Sequence, residues 1–160
     1  MPTLEQVRHV IHSIPVVTEI EQRNRALIAF TLLTGARDSA IASMKLKHVD
    51  LAADSIDQDA REVNTKFSKT FTTFFFPVGD DIRRIVVEWV LYLRQNKLWG
   101  NDDPLFPSTR IGLGAARQFE SIRSVTTPLA RCLAHSRRFR EAFVGACLRY
   151  FNPHRCVRVS

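Results

Sequence analysis

The architecture of this chain is set by the run Ala26-Leu27-Ile28-Ala29-Phe30-Thr31-Leu32-Leu33, which ends at Thr34-Gly35-Ala36-Arg37 and continues as Asp38-Ser39-Ala40-Ile41-Ala42-Ser43-Met44. The first run is almost entirely apolar and predicts a buried helix that ends at glycine. The second run predicts a short helix that follows at once. Arg37 lies between the two helices, where a guanidinium is costly to hold unless an anionic group contacts it. We therefore expect an anion-binding site at Arg37.

Length and composition indicate one globular unit. The chain has 160 residues, of which 45% are hydrophobic, and this is enough for one ordinary core. The three cysteines, Cys132, Cys147 and Cys156, include no CxxC pair, which argues against a disulfide framework and against a zinc site. The sequence shows no signal segment and no apolar run long enough to cross a bilayer. We expect a soluble, cytoplasmic protein with no metal and no membrane association.

The positive charge is concentrated in the last third of the chain. Residues 104–160 hold ten Arg, no Lys and two Glu, whereas residues 1–103 hold 13 basic and 14 acidic residues. A guanidinium presents a fixed fork of donors that suits phosphate oxygens, so this excess favours a polyanionic partner, above all nucleic acid. A solvated basic face is the alternative interpretation.

Capping signals and apolar periodicity predict the first three helices. Thr3, followed by Gln6, has the pattern of a capping box at the start of the first helix. A second helix is predicted over residues 19–33. A third is predicted over residues 38–46, with Asp38 as its N-cap.

Strand-like segments follow, at residues 55–59, 61–67 and 70–78, which are rich in Val, Thr and Phe. Three adjacent antiparallel strands are the simplest arrangement for them. An amphipathic helix then begins at Gly79, and its predicted buried face consists of Ile82, Ile85, Val86, Trp89, Val90 and Leu93. Residues 107–128 are predicted to form a loop with small helical pieces, and residues 129–148 a last, basic helix.

Several short motifs occur in a recognisable order along the chain. A helix ending in Thr34-Gly35-Ala36-Arg37 is followed by an Asp-containing turn at residues 47–51, a lysine-bearing hairpin that ends in Phe76-Pro77-Val78, a Pro-Leu-Phe-Pro segment at residues 104–107, and Asn152-Pro153-His154. This order resembles the catalytic domain of tyrosine recombinases, the phage integrase family, over nearly the whole chain. The resemblance implies a mainly α (α+β) fold with a small three-stranded antiparallel β-sheet. It also implies that residues 1–160 form a single, partial catalytic domain without a separate N-terminal DNA-clamping domain.

The resemblance also implies a chemistry. These enzymes act in DNA integration and recombination, and they cut one strand by attack of a tyrosine hydroxyl on the scissile phosphate, without metal or nucleotide cofactor. The transition state carries extra negative charge on the non-bridging oxygens, which cationic donors held in place stabilise. The implied partner is double-stranded DNA, and no cofactor and no small-molecule substrate are expected.

The resemblance assigns roles to residues in the first half of the chain. Arg37 matches the first family arginine, which grips the phosphate; pairing with Asp38 or Asp50 at a helix end is the alternative. Lys66, expected on the strand before the hairpin turn, matches the family lysine that resembles a general acid for the leaving 5′-oxygen. Lys69 is its rival, and two solvated turn lysines remain the alternative.

The resemblance also reaches the C-terminal residues. His154 matches the family histidine, which donates a hydrogen bond to the phosphate or assists proton transfer. The family pattern places a second arginine three residues later, where this chain has Val157, so Arg155 and Arg158 are the candidates for that role. The helix before them adds three arginines to the expected DNA-binding surface: Arg137, Arg138 and Arg140.

The nucleophile is where the sequence departs from the family. The family tyrosine lies beyond the histidine, whereas Tyr92 and Tyr150 both precede it, so neither tyrosine is assigned the role. Three interpretations follow: a recombinase catalytic domain that is truncated and incomplete on its own, a non-catalytic DNA-binding module or inactive integrase remnant, and a helical interaction domain whose arginines serve solubility. Family members self-associate on DNA through a C-terminal segment, and because that segment is missing here we expect a monomer.

Overall fold

The described part of the chain combines helices with two small antiparallel sheets. The computed structural model describes residues 3–111 and 117–124. In chain order the elements are α1 (Leu4–Ser13), α2 (Glu19–Thr34), α3 (Asp38–Ser43), β1 (Val49–Asp50), β2 (Ser55–Gln58), β3 (Phe71–Phe74), α4 (Asp80–Gln95), β4 (Pro107–Ile111) and β5 (Arg117–Ser124), with 3-10 helices at Leu46–His48 and Lys66–Ser68. The α+β class is confirmed for this part of the chain.

The first two helices begin at capping boxes. The Thr3 hydroxyl accepts a hydrogen bond from the Gln6 backbone N–H, and the Gln6 side chain accepts one from the Thr3 N–H, so the predicted box is confirmed. Thr18 and Glu21 form the same arrangement at the start of α2, a second capping box that is not among the predictions from the sequence. Helix α2 ends as predicted, because Gly35 adopts the left-handed conformation with φ 62°.

Helices α2 and α4 form the centre of the core. All six residues predicted for the buried face of α4 are buried, which confirms the periodicity. Trp89 on this face donates a hydrogen bond from its indole nitrogen to the Leu105 carbonyl, at 3.0 Å, so the segment after α4 is tied back onto it. None of the helices described has both the length and the apolar character needed to span a bilayer.

Helix α3 is shorter than predicted, and its expected N-cap is wrong. Arg37 occupies the N-cap position, Asp38 is the first helical residue, and no side chain caps the helix. The helix ends at Ser43 because the next residues pair with a distant segment instead. The Leu105 N–H donates to the Met44 carbonyl at 2.9 Å, and the backbone at Lys45 bridges that at Pro104. Tertiary pairing thus replaces the last predicted helical turn.

The three-stranded antiparallel sheet is confirmed, but one of its strands is not the one predicted. Its order is β1-β2-β3, with Val49 opposite Ile56 and Ile56 opposite Thr73. Residues 61–67 are not a strand. The Asp59 side chain accepts a hydrogen bond from the Arg61 backbone N–H at 3.0 Å, a local turn that competes with strand pairing. The place of the predicted strand is taken by β1, the two residues after the first 3-10 helix.

Residues 107–124 also differ from the prediction. The predicted loop with helical pieces is wrong over β4 and β5, which pair antiparallel with an irregularity between Pro107 and Thr109. Pairing of this kind depends on hydrogen bonds to the partner strand, and the apolar periodicity of either segment alone is too weak to predict a strand. The helix predicted over residues 129–148 lies outside the described residues.

Candidate functional site

The α2–α3 turn is held by a buried threonine. The Thr34 hydroxyl donates to the Phe30 carbonyl at 2.8 Å and accepts from the Ala36 N–H at 3.2 Å. The Gly35 N–H closes the helix by donating to the Thr31 carbonyl at 2.9 Å. Because both sides of the turn are bonded to the end of α2, the residue that follows is presented from a fixed backbone.

Arg37 is that residue, and its guanidinium is open to solvent. It makes no hydrogen bond and no ion pair with any residue in the described part of the chain. Asp50, one alternative partner, instead accepts hydrogen bonds from the backbone N–H groups of Ala52 and Ala53, both at 2.9 Å. Within the described residues, the pairing of Arg37 with Asp38 or Asp50 is therefore not formed, and the cation is available to an external anion.

Asp38, next to Arg37, is a half-buried carboxyl group. Burial raises its pKa above the ordinary value, and no side chain or backbone group among those described donates a hydrogen bond to it. Asp38 therefore lies next to Arg37 in the sequence without pairing with it among the described residues.

The lysine-bearing connection between β2 and β3 is tied to helix α3. The Asn64 N–H donates to the Ser43 hydroxyl at 2.8 Å, and the Ser39 hydroxyl donates to the Asn64 carbonyl at 3.3 Å. Lys66 follows two residues later. Its predicted position on a strand is wrong, because its backbone begins the second 3-10 helix. Lys69, the rival, is exposed just beyond that helix. The hydrogen bonds of Asn64 thus attach the connection to α3 two residues before Lys66.

A second anchor holds the start of this connection. The Glu62 carboxylate accepts from the Lys47 ammonium at 2.8 Å and from His48 Nε2 at 3.0 Å. His48 is buried, and its Nδ1 accepts from the Lys45 N–H, so the proton that bonds Glu62 is on Nε2. Lys47 first, and His48 next, hold the pKa of Glu62 below its usual value. Sequence reasoning missed these residues, because the contacts join parts of the chain about 15 residues apart with no local signal.

The same connection carries exposed aromatic rings on an unusual backbone. Phe67 and Ser68 have φ values of 60° and 48°, in the left-handed region that L-residues rarely adopt. Each such residue costs about 1–2 kcal/mol. The Phe67 side chain is 74% exposed, and Phe71, at the start of β3, is 47% exposed. From the sequence, these phenylalanines are predicted only as strand residues.

Tyr92 is the one tyrosine among the described residues, and its hydroxyl is not activated. It donates a hydrogen bond to the Glu19 carboxylate, and its ring stacks on Trp89 with centroids 5.7 Å apart. Burial, reinforced by Glu19, raises the pKa of Tyr92 to about 12. A nucleophile needs the opposite shift, so this geometry agrees with assigning Tyr92 no catalytic role.

Replacing the partner of Tyr92 tests this arrangement. We expect Glu19→Gln to lower the pKa of Tyr92, because the neutral amide no longer disfavours the tyrosinate anion. The measurement is tyrosinate absorbance against pH in a chain that also carries Tyr150→Phe, which removes the second tyrosine. An unchanged titration midpoint in Glu19→Gln would show that Glu19 does not set the pKa.

The remaining predicted site residues lie outside the described residues: His154, Arg155, Arg158, Arg137, Arg138 and Arg140. In the part of the chain that is described, no group of three or more His, Cys, Asp or Glu residues is placed to hold a metal ion. No protein-family model, curated protein or solved structure matches the chain.

Proposed function

We propose that this protein binds DNA through a phosphate pocket of the tyrosine-recombinase type, in which Arg37 grips the scissile phosphate. The main observation behind the proposal is that the Arg37 guanidinium is exposed on a fixed turn and has no partner among the described residues. In addition, the lysine-bearing connection is hydrogen-bonded to the next helix, α3. Because the described residues form no ion pair with Arg37, no such pair has to break before the guanidinium binds a phosphate oxygen.

The chemistry follows from the roles of the cations. In strand cleavage a tyrosine hydroxyl gives its proton to a base, a role open to His154, as its oxygen forms a bond to phosphorus. The bond from phosphorus to the 5′-oxygen breaks, and a second proton passes to that leaving oxygen. Arg37 would neutralise the non-bridging oxygens during this exchange. Lys66 or Lys69 would supply the proton. His154 would add a hydrogen bond to the phosphate, and Arg155 or Arg158 a second guanidinium.

A non-catalytic DNA-binding module is the second candidate. The observation that favours it is Tyr92, whose hydroxyl is engaged with Glu19 and has a raised pKa. In this case the pocket at Arg37 holds a backbone phosphate of intact DNA, and the protein acts by binding alone.

Arginine variants test the pocket. We expect Arg37→Ala to weaken binding to a labelled DNA duplex by about tenfold or more, since charge-assisted hydrogen bonds contribute about 1.5–3 kcal/mol. Arg84→Ala is the matched control, because Arg84 is also exposed and makes no hydrogen bond or ion pair with the described residues. The measurement is fluorescence anisotropy at several salt concentrations, where Arg37→Ala should also reduce the salt dependence. Equal losses in both variants would contradict a specific phosphate pocket.

A nicked suicide substrate separates the two candidates. If the protein cleaves DNA by itself, the nicked DNA traps a covalent phosphotyrosyl adduct that survives denaturing electrophoresis. If it is a binding module, no adduct forms at any protein concentration, while salt-sensitive binding is retained. Absence of DNA binding at low salt would overturn both candidates.

A further inference from the structure

The β2–β3 connection and the start of β3 concentrate exposed aromatic surface. Residues 63–79 contain five phenylalanines, two lysines and no Asp or Glu. Phe67 and Phe71 both present large parts of their rings to solvent. Exposed rings that lie close together along one segment mark an interaction surface.

The backbone holds this segment in a defined shape. The Thr65 hydroxyl donates to the Lys69 carbonyl at 2.8 Å and the Ala60 N–H donates to the Thr70 hydroxyl at 3.1 Å, so the left-handed residues Phe67 and Ser68 lie between two bonded points. A strained non-glycine backbone that the surrounding bonds maintain is typical of ligand-binding segments. The hydrogen bonds on either side of Phe67 therefore fix the backbone from which its exposed ring projects.

The charges around the segment identify the class of ligand. Its nearest preceding acid, Glu62, is bound by Lys47 and His48, and the Arg61 guanidinium is paired with Asp59 at 2.6 Å. Lys69 is exposed and makes no side-chain hydrogen bond or ion pair within the described residues. A flat apolar ring beside a cation complements a nucleobase beside a phosphate, because every base has a π-face and every linkage a negative charge.

We propose that Phe67 and Phe71 stack on unpaired nucleobases, with Lys69 contacting the adjoining phosphate. The inference deepens the proposed function and rests on it. It names locally unpaired DNA, rather than a uniform duplex, as the preferred ligand of this protein.

Phe74 provides an internal control. It is 66% exposed, comparable to Phe67, but it lies three residues after Phe71 and so faces the other side of the sheet. On that side its strand neighbour is Ser55, which in turn lies opposite Asp50. An acidic neighbour disfavours a nucleic acid there, so Phe74 should not contribute to stacking.

The test compares three DNA ligands of the same length and sequence: a fully paired duplex, the same duplex with a short central bubble, and one of its single strands. The unmodified protein should bind the bubble more tightly than the paired duplex. Phe67→Leu keeps an apolar side chain without a π-face and should weaken bubble binding by about 5- to 150-fold, the effect of losing one stacked base. Phe71→Leu should act in the same direction, Phe67→Trp should retain the affinity, and Phe74→Leu should leave it unchanged.

The outcomes separate this inference from the proposed function. If the paired duplex is bound and weakened by Arg37→Ala, but Phe67→Leu does not change the preference for the bubble, stacking is overturned and the phosphate pocket stands. If Phe67→Leu and Phe74→Leu weaken bubble binding equally, the effect is general and stacking is overturned. If Phe67→Leu changes only the oligomeric state, measured by light scattering, the surface is a contact between copies and the inference fails. If no DNA is bound at low salt, both proposals fall.

Discussion

Phe30→Ala is expected to lower the free energy of unfolding by about 3–5 kcal/mol, the range measured when a buried phenylalanine is truncated. Phe30 is fully buried on α2, and its ring meets Phe106 edge-on, with centroids 5.4 Å apart and an angle of 67° between the planes. Alanine removes both the buried apolar surface and one partner of this aromatic pair. A cavity remains, because the neighbouring helices cannot collapse fully into it.

The effect should also reach the candidate site. Phe106 belongs to the segment that pairs with the end of α3, and the Phe30 carbonyl accepts the hydrogen bond from Thr34 that shapes the turn before Arg37. Urea unfolding followed by circular dichroism measures the loss. Val17→Ala is the control, because Val17 is 87% exposed and its truncation should change the free energy by less than about 0.5 kcal/mol. Similar losses in the two variants would mean that Phe30 is not a core residue.

Gly79→Ala is the second large effect, with an expected destabilisation of about 2–4 kcal/mol, the sum of a backbone term and the loss of an ion pair. Gly79 precedes α4 with φ 122°, a conformation that side chains rarely tolerate. A Cβ atom there would lie 2.5 Å from Asp81 Oδ1, so the carboxylate must move.

Moving Asp81 breaks the contacts that join α1 to α4. Asp81 accepts from Arg8 at 2.8 Å and from His12 at 2.7 Å. Burial works to raise the pKa of Asp81, but His12 and Arg8 outweigh it and hold the pKa below 3.8. A carboxyl with a lowered folded-state pKa stabilises the protein above its unfolded pKa, and this contribution is lost as the pH falls through 3.8 toward the folded value. Gly79→Ala should remove that part of the pH dependence.

The matched control is another glycine on the surface. At Gly100 an added Cβ would meet only the Asp103 carboxylate, at 3.9 Å, which is an ordinary contact. Gly100→Ala should therefore change the free energy of unfolding by less than about 0.5 kcal/mol. Urea unfolding of both variants at neutral and acidic pH gives the comparison, and equal stability of the two would contradict the strain assigned to Gly79.

Local rules predicted the elements whose signals lie within a few residues. The Thr3 capping box, the end of α2 at Gly35 and the buried face of α4 all follow from contacts three or four residues apart. The same rules failed at residues 61–67 and at the end of α3. There the deciding hydrogen bonds are the turn at Asp59 and the pairing with residues 103–105. Sequence periodicity carries no information about which distant segment a backbone group will meet.

The candidate site also combines properties that the local sequence predicts with properties that only tertiary contacts determine. The sequence by itself determined that an arginine follows a helix-ending glycine, because helix termination depends on the left-handed conformation that glycine adopts without a steric cost. Only the tertiary structure decided that this arginine is exposed and without a partner among the described residues, and that Asn64 ties the lysine-bearing connection to α3. It also decided that Phe67 projects into solvent. These properties depend on contacts between segments far apart in the chain, which form only when the core brings those segments together.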